Sequence, residues 1–191
     1  MKNQKAGIFI VLGLFLLWSC GRTEKKESYI PVGPIIKAQV NNIDTSLYTI
    51  IKLTYVDSAR SDTEYIRRED VRGLAHDFLT IPELSKSKYT EENFPGPTEG
   101  ASTFTYKPKH PDEQELKQID LIIDPSLEIQ GKSQITTIII EKMLSNKDSS
   151  VEKKLLWQTD RSFQVTTIKQ LPGKPEIYSS YRVIWSSVQD E

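Results

Sequence analysis

Three residues have the types that do nucleophilic or metal chemistry: a single cysteine, Cys20, and two histidines, His76 and His110. A cysteine nucleophile needs a base to make its thiolate, and a zinc site needs histidine, cysteine or carboxylate ligands at suitable spacing. His110 stands close to Asp112, Glu113 and Glu115, but prolines flank it and the spacing matches no zinc pattern. His76 lies beside Asp77 and two positions from Leu74 and Phe78, which predicts a surface histidine. The adjacent pair Glu91 and Glu92 carries the carboxylates that acid–base hydrolysis uses, although neighbouring acids on an exposed loop read as solvated surface. There is no Gly-x-Ser-x-Gly, His-Glu-x-x-His or glycine-rich phosphate loop. No cofactor or metal is expected, and a hydrolase is kept only as an alternative.

Cys20 has a context of its own. Lys2 and Lys5 precede an apolar run from Ala6 to Trp18, and the run closes on Leu17-Trp18-Ser19-Cys20-Gly21. That is the charged start, apolar middle and small-residue exit of an export signal. The Leu-x-Ser-Cys ending resembles the lipobox of bacterial lipoprotein precursors. The resemblance covers residues 1–21. It implies that residues 1–19 are a signal peptide, that cleavage falls before Cys20, and that the Cys20 sulfur carries a diacylglyceryl group. The new amino group is then acylated, commonly with palmitate. An uncleaved membrane span is the competing reading. Its 13 apolar residues make roughly 20 Å of helix, short of a hydrocarbon layer of roughly 30 Å. Because Gly21 stands where an aspartate would signal inner-membrane retention, the resemblance implies the outer membrane, at its periplasmic face.

Residues 20–28 (Cys-Gly-Arg-Thr-Glu-Lys-Lys-Glu-Ser) are polar and without apolar period, which predicts a flexible tether. Beyond it, 29–191 is a comfortable length for one domain. Loss of Lys2 and Lys5 with the leader leaves 23 basic against 26 acidic side chains, a net charge of −3. Nothing forms a polybasic patch, so nucleic acid is not an expected partner. An acylated Cys20 leaves no thiol for a disulfide, and the domain must then be held by its core.

Several elements must position any site. Tyr29–Pro34, with two prolines and a glycine, reads as an extended lead-in. Leu47–Val56 is β-branched and aromatic, with Leu47, Ile51, Leu53 and Tyr55 on one parity. Ser61 and Glu64 fit a capping box. Val71, Leu74, Ala75 and Phe78 then fall at helical spacing, which predicts one main helix over 64–80. Residues 85–117 are broken by four prolines and two glycines and read as a long irregular loop with a short strand at 103–106. Its segment Thr90–Pro111 is the expected partner-facing surface. Strands follow at 118–124 (stopped by Pro125), 133–144, 152–158, 162–171 and 177–188, with a reversal at Pro172-Gly173. Successive strands joined by short connections predict an α+β fold: an antiparallel meander of about five to seven strands carrying one main helix.

Trp157, Phe163, Tyr178, Tyr181 and Trp185 gather in the last three strands. One reading makes them core. Another makes Trp157, Tyr181 and Trp185 line an apolar pocket, as in lipocalin-like carriers, although no Gly-x-Trp follows the tether. The overall pattern resembles the envelope lipoproteins of Gram-negative bacteria, which implies a membrane-tethered, non-catalytic binding or assembly module with an envelope protein as a possible partner. The alternative is a carrier of an apolar ligand.

Overall fold

A computed structural model describes residues 29–57, 60–129 and 132–185. The lipobox, Cys20 and the tether lie outside these residues, as does the end of the chain from 186. The first element among the described residues is helix α1 (Val32–Thr45), followed by the hairpin β1 (Ile51–Tyr55) and β2 (Ser61–Tyr65). Two short helices come next, α2 (Arg68–Leu74) and α3 (His76–Leu79). Seven strands then run in order: β3 (Tyr89–Pro95), β4 (Ser102–Pro108), β5 (Leu116–Ile129), β6 (Lys132–Ser145), β7 (Ser150–Gln158), β8 (Ser162–Gln170) and β9 (Ile177–Ile184). A 3-10 turn, Pro111–Glu113, sits between β4 and β5.

All pairings are antiparallel, in one open sheet ordered β2-β1-β9-β8-β7-β6-β5-β4-β3. The α+β class and the meander of the later strands agree with the sequence, but the sheet has nine strands among the described residues, not five to seven. One unexpected strand, β2, stands in place of the expected helix start, and the other, β3, comes from the supposed irregular loop at 85–117, where the expected short strand lengthens into β4. β3 and β4 pair across it from Tyr89↔Pro108 to Pro95↔Ser102. Pro95 is accommodated because β3 is an edge strand, where a missing N–H costs no ladder bond, and Pro108 ends β4 beyond its last pairing with β5 at Tyr106↔Ile119. β5 likewise passes through Pro125, next to a register shift.

The main helix is also elsewhere. Ser61 and Glu64 lie in β2, so the capping box does not form, and 68–79 is two short helices that meet at Ala75. The apolar stripe there is nonetheless buried: Val71, Ala75 and Phe78 are fully enclosed. Among the described residues the longest helix is α1, which starts within the expected extended lead-in. Pro31 is its N-cap and Pro34 falls in its first turn, where backbone N–H groups have no helical partner to lose. Its buried residues, Val32, Ile36, Gln39, Val40 and Ile43, share one face.

All three helices pack on one face of the sheet. Cross-strand register aligns two apolar rows beneath them. One is Tyr106, Ile119, Ile140, Leu155, Val165 and Tyr181. The other is Phe104, Leu121, Ile138, Trp157, Phe163 and Val183. The reversal at Pro172-Gly173 is present: Lys174 N–H bonds Leu171 O at 3.1 Å, and Gly173 takes a φ of +68°.

Candidate functional site

Side chains alternate faces along a strand, so the parity that buries Ile138 and Ile140 in β6 also turns Lys142 towards the helices. It is 8% exposed. Its neighbours in the next row are Leu116 of β5 and Lys153 of β7. A short helix ends with unsatisfied carbonyls, and a cation suits them. Lys142 Nζ donates to the Asp77 carbonyl at 2.6 Å and to Thr80 Oγ1 at 3.3 Å, at the end of α3. Lys153 Nζ meets both Asp77 carboxylate oxygens, at 2.7 and 2.9 Å. Tyr181 OH donates to the Leu74 carbonyl, the last residue of α2, at 2.8 Å. The sheet thus holds both short helices by their C-terminal ends.

Lys142 also forms part of the wall of a cleft of about 790 Å³, which opens between the turn 80–89, the segment 110–116 and β6. Its buried polar residues are Lys142, Ser85 and Tyr89. Tyr89 OH donates to Gln114 Oε1 at 2.8 Å, and the Ser85 and Ser87 hydroxyls lie 3.0 Å apart. Glu83, Lys88, His110, Glu113 and Glu115 are exposed around it. Burial pulls the Lys142 amine below its ordinary pKa, opposed by the negative charges of Asp77 and Glu115 and reinforced by the positive charge of Lys153. Burial raises the Tyr89 phenol. The chain reaches this cleft directly from its N-terminal side, because Tyr29 N–H bonds the carbonyl of Leu84, the residue before Ser85, at 3.1 Å.

His110 lines the cleft, whereas His76 is exposed on α3. Among the described residues, no three metal-ligating side chains converge. Glu91 and Glu92 are exposed on β3, with Glu92 paired to Lys107 at 3.3 Å. Trp157 and Trp185 are buried in a ring cluster with Phe78 and Phe163. Trp157 stacks on Phe163 with centroids 5.2 Å apart and planes 8° from parallel. Neither Trp157, Tyr181 nor Trp185 lines the cleft above or the smaller one, of about 470 Å³, beside Leu47 and Tyr65. Tyr178 lies outside the core, 60% exposed. Sequence reasoning missed Lys142. The signal was its place on the inward parity of Ile138 and Ile140.

No protein-family description fits the chain, and no curated protein or solved structure matches it.

Proposed function

We propose that this chain is a lipid-anchored lipoprotein of the cell envelope, held through Cys20 at the periplasmic face of the outer membrane and acting as a non-catalytic binding module. The leader and its Leu17-Trp18-Ser19-Cys20 ending support the anchor. The observation that carries the binding role is the cleft over Lys142, which opens beside Tyr29, where the chain enters from the tether. Lys142 is bonded to a carbonyl and a hydroxyl, an arrangement suited to presenting a fixed positive charge. Convergent buried polar groups in a cleft are the usual makings of a ligand site.

Cys20→Ala tests the anchor. The variant should stay uncleaved or appear in the soluble fraction, and unchanged membrane fractionation with unchanged mass would overturn the reading.

A protein partner is favoured at a second place, the expected segment Thr90–Pro111. β3 is a free sheet edge, and Phe94 on it is half-exposed. Unpaired strand edges template pairing with another chain. Replacing the hairpin tip, residues 96–101, should weaken capture of an envelope protein by cross-linking in its host and leave the unfolding temperature nearly unchanged.

A further inference from the structure

Lys142 as a residue is more than nine-tenths buried, and both hydrogen-bond acceptors of its ammonium are neutral. Among the described residues it makes no ion pair, because the nearby Asp77 carboxylate is engaged by Lys153. A buried cation with no carboxylate bonded directly to it is costly, and here it lies where a ligand can reach it. An oxyanion would neutralise it. The exposed lining residues bear the opposite bias: Glu83, Glu113 and Glu115 stand against Lys88 and His110. Those carboxylates repel a ligand that is only anionic and attract one that also carries an ammonium group.

We propose that the cleft binds a small zwitterion, with its oxyanion on Lys142 and its ammonium among Glu83, Glu113 and Glu115. The inference rests on the binding-module reading and names its ligand class. Two sources share this chemistry, an ethanolamine phospholipid headgroup and a free amino acid. The bilayer is within range of the first, since nine tether residues span at most about 30 Å.

The test uses the full chain in a non-ionic, phosphate-free detergent, titrated with glycerophosphoethanolamine, β-alanine, glycerophosphate and ethanolamine. Binding is read from the unfolding temperature and from the Lys142 side-chain NMR signals. At least one zwitterion should shift the Lys142 signals and bind about tenfold more tightly than glycerophosphate or ethanolamine, a gap of about 1.4 kcal/mol. A response to glycerophosphoethanolamine assigns the headgroup, and one to β-alanine alone assigns a free solute; both uphold the proposal. Lys142→Met should abolish the response. Should that variant not fold, Glu113→Gln/Glu115→Gln decides, because it should erase the preference for the zwitterion over glycerophosphate. Equal affinities for all four compounds, no response to either zwitterion, or a preference that survives the double substitution would overturn the proposal. None of these outcomes depends on how Cys20→Ala fractionates, so failure of the ligand class and failure of the anchor are separately visible.

Discussion

Gln39 of α1 and Trp157 of β7 are joined by a 2.6 Å hydrogen bond, in which the indole Nε1–H donates to the buried amide oxygen. The same oxygen accepts from the Asp160 backbone N–H at 3.3 Å. One side chain therefore fixes the helix to the sheet and to the turn between β7 and β8. Gln39→Leu keeps the volume and strands both donors. An unmet buried donor costs roughly 1–3 kcal/mol, so the urea midpoint should fall by a matching amount with the slope unchanged. No change in midpoint would show that water replaces the amide.

Asp160 adopts a φ of +56°, the left-handed region. An aspartate tolerates it, whereas a β-branched side chain does not, at roughly 1–2 kcal/mol. Asp160→Val should lower the unfolding temperature, and Asp160→Gly should not. Equal losses in calorimetry would mean that the aspartate side chain itself is needed.

Much of this was legible in the sequence. Residue parity pointed to β1, β8 and β9, and apolar or β-branched runs to β5, β6 and β7, because a strand packed under helices needs such side chains. Residues 89–95 escaped because an edge strand exposed on six of its seven residues carries no such alternation. Helix α1 escaped for a different reason: Pro31, Gly33 and Pro34 read as helix breakers, yet the first turn is the place where they do little harm. For the cleft, the sequence offered His110 and its neighbouring acids but not what they face. Lys142 is brought to Asp77 and Thr80 by sheet register, which only long-range pairing decides.

Alkaline pH should unfold this domain through its tyrosines. Burial, aided by the Asp77 charge, pushes Tyr181 up to about 12. Burial raises Tyr89, and burial together with Glu91 raises Tyr106. Below the unfolded value of 10.0 both states hold these protons, so the stabilisation is complete. Between pH 10 and about 12 the unfolded chain releases protons that the folded chain keeps, and stability falls. Lys142 acts with the opposite sign, since its lowered pKa favours folding as pH rises towards 10.5. The urea midpoint should therefore drop above pH 10, and less steeply in Tyr181→Phe. An identical slope in that variant would remove Tyr181 from the account.

Asp77 links two of these groups. Asp77→Asn leaves Lys153, about a quarter exposed, without its ion-pair partner. A pair this shielded is worth more than a surface one, so a loss of about 1 kcal/mol or more is expected. The same change removes a negative charge that holds up the Tyr181 phenol, so ultraviolet titration should show Tyr181 ionising at lower pH. An unmoved titration would leave burial as the whole cause.

The junction of β1 with β9 also governs timing. Strands β4 to β9 each pair with the strand before them, so their registers can form as the chain appears. Ile51 instead waits for Ile184. Closing so wide a loop before any pairing rewards it is slow. Until β9 arrives, the first hairpin has no sheet to join and the edge of β1 away from β2 stays bare. A chain delivered from its N-terminal end therefore stays open until its last strand emerges. Such a delay would suit the export proposed above, in which the chain threads through a membrane before it folds.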